Sequence, residues 1–311
     1  MTTRAVLVAS PFLLDRRAAW DEGYALYSPA DVEDPAIAAR IEVIVTGGDA
    51  LDVALVDALP NLGLVACFST GYAGIDHAHL ARRGIPLTTA AGVNAHDVAD
   101  HAFALFLALW HQIPRNDRIV RAGGWRDGQP PRPSLRGKRA GIVGLGRIGR
   151  AIADRAAAFG MEVRWWGPRD KPDADYVRAE SLVDLASWSD ALFIASLAVP
   201  ENAGQIDDAV MGALGPAGML VNVSRGFLID EPALIDALRR GVIGGAALDV
   251  FADEPTDPSL WAGLDNVVLA PHLAGYTREA GTDMISQLRE NVRRFFAGEP
   301  LLSPVSAAQV A

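Results

Sequence analysis

The sequence predicts an α/β protein of two doubly wound parallel-sheet domains with a cleft between them, and three observations carry that expectation. Short apolar runs alternate with helical patterns in two successive series, the signature of parallel β-α units. The 311 residues exceed the size at which one core keeps growing, so two domains are expected. A G-x-G-x-x-G run opens the second series directly after an apolar stretch, as in a Rossmann-like sheet.

In the first series Ala5–Ala9, Val43–Val45, Leu64–Phe68 and Pro86–Thr88 read as strands, with helical stretches around Val53–Ala58 and His77–Arg83. Asn94 to Gln112 follows as a domain-crossing helix. Asn94 suits its cap, and Asp97 suits the positive end of its dipole. Its most apolar part, Val98–Trp110, contains Asp100 and His101 and is shorter than the roughly 20 residues of a membrane span, so it reads as a buried helix. Arg121 to Lys138 is rich in Gly, Pro and Arg and long for a structureless loop, which suggests an arm that wraps a partner subunit. The second series supplies six strands: Ala140–Gly144, Glu162–Trp166, Ala191–Ala195, Met219–Val223, Gly245–Leu248 and Val267–Leu269. A last helix, Thr282 to Phe296, carries a stripe of Ile285, Leu288, Val292 and Phe295/Phe296 that must bury against a surface.

Composition narrows the function classes. Half of the residues are hydrophobic, ample for sizeable cores, and the single Cys67 excludes an intramolecular disulfide framework or a multi-cysteine zinc site. A formal charge of −10 without a basic run repels nucleic-acid backbones and anionic membranes, so neither is an expected partner. Ala5–Ala9 at the N-terminus is too short for a signal-peptide core and reads as a strand. A cytoplasmic location is the expectation.

The glycine motif spans Ala140 to Gly149. Gly144 permits the tight turn, Gly146 lets backbone approach a pyrophosphate, and Gly149 allows close helix–sheet packing. The helix start at Arg147 and Ile148 supplies N–H donors to phosphates. Without strand and helix around it, the same run would be an ordinary glycine-rich turn; with both in place it reads as a dinucleotide site.

Polar residues gather where the later strands end: Asn222-Val-Ser-Arg225-Gly, Asp249-Val-Phe-Ala-Asp-Glu254-Pro and Ala270-Pro-His272-Leu-Ala-Gly275. Ligands bind at that edge of an open α/β sheet. Singly, Arg225 reads as a surface charge, Glu254 as a turn residue and His272 as structural. Together they match the needs of keto-acid reduction: a guanidinium for the carboxylate or keto oxygen, an imidazolium to deliver a proton, and a carboxylate to orient it.

The ordered set GLGRIG, NVSRGFLIDEPALIDAL, GAALDVFADEP and PHLAG resembles the D-isomer-specific 2-hydroxyacid dehydrogenases, over essentially the whole chain. The resemblance makes Arg225, Glu254 and His272 catalytic and gives Asp249 to the nicotinamide carboxamide. It assigns the backbone of Ser69, Thr70 and Gly71 to the substrate carboxylate, and the Gly-Gly-Trp125 segment to the start of a dimerisation arm near 112–138. It also implies a discontinuous layout: residues 1–97 with 282–311 as the substrate-binding domain, and 98–281 as the dinucleotide-binding domain. Val98-Ala-Asp-His-Ala and Arg118-Ile-Val-Arg-Ala-Gly-Gly-Trp125 are similar to the glyoxylate/hydroxypyruvate and hydroxyphenylpyruvate reductase branch. Ser196-Leu197-Ala198 replaces the Cys-Pro or His-Pro step common on the adenine side, and Ala73-Gly74 replaces Asp-Asn or Asp-His.

Cofactor choice turns on Val163 to Asp170. A fold that prefers NAD places Asp or Glu at the end of the second strand, where it meets the ribose hydroxyls. Gly167 stands there, with Arg169 and Lys171 following, so NADP(H) is the expected cofactor. Asp170 keeps NAD(H) use open if the turn shifts by one residue. Of the competing readings, a serine hydrolase lacks its G-x-S-x-G elbow, and the histidine spacings are poor for a metal, so no metal is expected. A dinucleotide-sensing corepressor of the same fold, or an NAD-dependent dehydrogenase of a larger substrate such as phenylpyruvate, remain alternatives to a homodimeric reductase of small 2-keto acids.

Overall fold

Parallel pairing alone organises both sheets. The computed structural model describes residues 3–48, 50–129 and 131–305, and divides into two compact units, Met1–Asn94 with Arg278–Ala311, and Ala95–Thr277. These divisions fall three and four residues before those expected from the sequence, because each coincides with the first residue of a helix, Ala95–Trp110 or Arg278–Ala297.

The first unit contains β1 (Ala5–Val8), β2 (Ala25–Tyr27), β3 (Ile41–Thr46), β4 (Leu64–Cys67) and β5 (Leu87–Thr88), in the order β2-β1-β3-β4-β5. The sequence predicts four of these strands. β2 is the addition, a three-residue edge too short to show a period of its own. Alternate residues of each strand serve opposite faces. Val6, Val8, Val43, Val45, Leu64 and Ala66 form one core with Trp20, Leu288 and Val292, so the apolar stripe of the last helix buries here. Leu7, Ile44, Val65, Cys67 and Leu87 point into the other core. The last helix starts at Arg278 rather than Thr282; its first two turns bury Ala280 and Met284 against Ala90.

The second unit contains β6 (Arg139–Val143), β7 (Glu162–Trp166), β8 (Val177–Arg178), β9 (Ala191–Ile194), β10 (Met219–Asn222), β11 (Gly245–Leu248) and β12 (Val267–Leu269), in the order β12-β11-β10-β9-β6-β7-β8. Six are predicted, and β8 is a further two-residue edge strand. Ile142, Phe193, Val221 and Ala247 face a core shared with Ala99, Phe103 and Phe106 of the helix Ala95–Trp110 and with Ile152 of the helix Arg147–Ala158. Val143, Leu192, Ile194, Leu220 and Leu248 face the opposite core, with Leu185, Met211 and Leu234. The order reverses at β6 and β9, and the ends of these strands open the crevice where a doubly wound sheet takes its ligands. The helix Ile113–Arg121 fills the start of the segment expected to be an arm. No helix of the described residues is long and apolar enough to cross a membrane.

Candidate active site

The second unit assembles its site from loops that leave the carboxyl ends of parallel strands. At the end of β6, Gly144 adopts a φ of +90°, and a side chain there would run into the Ser196 backbone. A side chain at Gly149 would overlap the Gly144 carbonyl, whereas one at Gly146 would meet open space. The helix Arg147–Ala158 starts at Gly146 with no side-chain cap among the described residues, so its N-terminal amides face that open space with their partial positive charge. An open helix start of this kind accepts phosphate, and the donor set suits a dinucleotide. Ser196 borders it. Its hydroxyl accepts from Gln205 Nε2 at 2.9 Å, and its carbonyl accepts from Ser224 Oγ at 2.6 Å.

The end of β7 carries Gly167, with Arg169 and Asp170 exposed beyond it. A side chain at Gly167 would touch only the Trp165 ring, at 3.5 Å, an ordinary contact, so sterics alone do not impose glycine. Arg178 of β8 donates to the Gly167 carbonyl at 2.8 Å, packs 5.6 Å over the Trp165 ring, and lies 3.9 Å from Asp170. Asp170 also accepts from the Lys171 N–H at 2.9 Å. Arg178 is a residue the sequence reasoning missed, since a two-residue strand leaves no pattern to read.

Arg225, Glu254 and His272 sit on the loops after β10, β11 and β12. Buried Asn222 shapes the first loop: its Nδ2 donates to the Arg225 carbonyl at 3.0 Å, and its Oδ1 accepts from the Ser224 N–H at 3.0 Å. Burial lowers the pKa of the Arg225 guanidinium, and the negative charge of Glu254 opposes that shift. A side chain at Gly226 would overlap the backbone of Phe251 and Ala252, so the Arg225 and Glu254 loops touch backbone to backbone. Glu231, also buried, accepts from the Ala252 N–H at 3.0 Å. Neither Asn222, Gly226 nor Glu231 announces such a role in the sequence.

His272 and Glu254 meet directly, Nδ1 to Oε2, at 2.7 Å. The second Glu254 oxygen accepts from the Phe251 N–H at 3.1 Å, which fixes the carboxylate against the imidazole. Nε2 of His272 has no partner among the described residues. His272 takes a φ of +54°, a left-handed conformation that costs a residue with a Cβ of order 1 kcal/mol or more and needs external support. Asp249 provides it, with 0% exposure. Its carbonyl accepts from the His272 N–H at 2.8 Å, and its two carboxylate oxygens accept from Leu273 and Ala274 at 2.8 and 2.9 Å.

In the first unit, Ser69, Thr70 and Gly71 form the loop after β4, and their backbone N–H groups find no acceptor among the described residues. Ser69 Oγ donates to the Gly71 carbonyl. Gly48, after β3 and with a φ of +94°, lies so close that a side chain would overlap Ser69 Oγ.

The model of the D-isomer specific 2-hydroxyacid dehydrogenase NAD binding domain matches residues 103–274, which hold every one of these second-unit loops. The chain belongs to the D-isomer-specific 2-hydroxyacid dehydrogenase family. It is 42% identical to a hydroxyphenylpyruvate reductase of Plectranthus scutellarioides over 255 residues, 82% of each chain. It is 36% identical to a 2-ketogluconate reductase of Gluconobacter oxydans over 303 residues, 96% of this chain and 98% of that one. Among solved structures, an NADPH-dependent glyoxylate/hydroxypyruvate reductase of Sinorhizobium meliloti, in complex with NADP and malonate, superposes with a TM-score of 0.86 at 33% identity, covering 98% of this chain and 97% of that one.

The contact at Gly226 yields a direct test of this arrangement. Gly226→Ala forces the Arg225 and Glu254 loops apart, so it should destabilise the fold by about 1–3 kcal/mol in chemical denaturation and lower turnover as well. Wild-type stability and turnover together would show that the two loops are not held by this contact.

Proposed function

We propose that this chain reduces small 2-keto acids of the glyoxylate and hydroxypyruvate type to D-2-hydroxy acids, with NADPH preferred over NADH. The observation that carries the reading is the 2.7 Å pair of His272 Nδ1 and Glu254 Oε2 on adjacent strand ends beside a partly buried Arg225. A reduced nicotinamide bound at this strand edge supplies the hydride. Glu254 holds the imidazole by Nδ1, which leaves Nε2 to carry a proton to the keto oxygen as that oxygen gains charge. Arg225 offers a planar fork to the carboxylate and keto oxygen, a geometry a lysine does not reproduce. The amides of Ser69, Thr70 and Gly71 take the substrate carboxylate. The phosphates take Gly144, Gly146, Arg147, Ile148 and Gly149, with Ser196 beside them, and Asp249 accepts from the carboxamide with lone pairs its backbone donors leave over.

The NADPH preference rests on the turn after β7. Gly167 puts no carboxylate at the ribose, and Asp170, the acid that would restore one, faces Arg178 and the Lys171 N–H. Arg169 then supplies charge to a 2′-phosphate, and the named Sinorhizobium relative is NADPH-dependent. The described residues also leave Ile113, Val120 and Trp125 exposed, Trp125 at 68%. Apolar surface of that kind seeks a partner, and we assign it to a homodimer.

Three measurements test these readings. His272→Ala should lower kcat by about 10²–10⁴-fold on glyoxylate or hydroxypyruvate while NADPH still binds; near-normal turnover would remove His272 from the chemistry. Wild-type kcat/KM should favour NADPH, and Gly167→Asp, whose Cβ meets only ordinary contacts, should shift preference toward NADH by roughly ten-fold or more. A wild-type enzyme that already favours NADH overturns the cofactor assignment. Sedimentation at micromolar concentration should give a dimer, and Trp125→Asp should weaken it; a stable wild-type monomer refutes the interface.

A further inference from the structure

His101 lies on the helix Ala95–Trp110, 148 positions before Asp249 and outside the His272–Glu254–Arg225 set. Its Nε2 is 3.3 Å from Asp249 Oδ1. The nitrogen is itself shut off from solvent and makes no hydrogen bond among the described residues, so the distance is right and the alignment is not. A buried polar atom in that state costs free energy unless a small rotation completes the bond. The atom it faces is no ordinary surface acceptor: Asp249 is wholly buried, and its Oδ1 is the oxygen that receives the Leu273 N–H. Leu273 immediately follows His272, whose positive φ depends on that anchorage.

We propose that His101 is a positioning residue for the proton donor: its Nε2–H donates to Asp249 Oδ1, and Asp249 transmits the restraint to the loop that holds His272. The inference rests on the reading of His272 as proton donor. The charged and titratable groups around it support the assignment. Asp100, its neighbour on the helix, is turned to Arg155 at 2.8 Å, and Arg155 also donates to the His96 carbonyl. Glu254 is committed to His272 and the Phe251 N–H. Among these groups His101 alone faces the Asp249 carboxylate from the helix side. It supplies a third donor to a carboxylate whose donors among the described residues are otherwise the two loop amides.

The test compares His101→Leu, which removes the donor, with His101→Gln, whose amide nitrogen reaches about as far as Nε2. His101→Leu should lower kcat about ten-fold with KM for the keto acid and the Kd for NADPH within about two-fold of wild type. In the protein without cofactor, hydrogen exchange at the Leu273 and Ala274 amides should quicken about ten-fold. His101→Gln should recover most of both. Combining His101→Leu with Asp249→Asn should cost no more than Asp249→Asn alone, since both cut one chain of contacts. Unchanged exchange in His101→Leu, equal losses in the Gln and Leu variants, or additive effects in the double variant would each overturn the proposal. Failure of the proton-donor reading is separable, because His272→Ala tests it by turnover while amide exchange reports on the His101–Asp249 link whatever His272 does.

Discussion

The carboxylate of Asp249 has no contact with solvent, and an anion so placed persists only where donors replace the water it has lost. Its donors are backbone amides of the loop that carries His272. The cost of burying the charge is offset by the geometry it enforces, since an irregular backbone with a positive φ at a non-glycine residue has no stability of its own. Remove the charge and the loop loses what holds it left-handed. His272 then loses its approach to Glu254. The same logic runs through the neighbouring loop, where buried Asn222 ties both sides of the turn before Arg225. Loops with little regular structure are thus held in place by the buried side chains of Asp249 and Asn222.

The strands with apolar runs of four or more residues were legible in the sequence because burial on both faces writes a continuous signal. β2 and β8 were not: Ala25–Tyr27 is only half-buried and Val177–Arg178 is exposed, so neither is written as an apolar run, whereas the equally short edge strands β5 and β12 sit within one. At the site, the residues with chemistry in their side chains stood out: Arg225, Glu254 and His272 follow strands in an order the family shares. The residues that support them did not. Gly226 matters because of a backbone 25 positions away, Gly48 because of Ser69, and His101 because of a carboxylate far along the chain. Contacts of that separation leave no local mark, since any glycine or histidine looks alike until the fold brings its partner near.

Electrostatics divide along the same line. The chain carries −10 overall, a poor match for a phosphorylated ligand, yet the positive character it needs is built locally from an uncapped helix start and from arginines beside one strand end. Arg178 illustrates the economy of that arrangement. One guanidinium fastens the turn carbonyl, covers an indole and faces an acid of the same turn. A long-range field of the wrong sign is tolerated because charges within a few ångströms of a partly desolvated site are screened far less than those beyond a Debye length of about 8–10 Å.

The helix Arg278–Ala297 places Leu288 and Val292 in the same core as Val6 and Val8. A ribosome releases the chain from its first residue onward, so β1 emerges nearly three hundred residues before the surface that completes its core. The Ala95–Thr277 unit is one continuous stretch and is free to fold while the first unit still waits for Leu288 and Val292 on one face of its sheet. Until that helix is made, the first unit therefore presents an incompletely covered apolar β surface, the kind of surface that holding chaperones recognise. The helix Arg278–Ala297 thus acts as the closing element for strands made long before it.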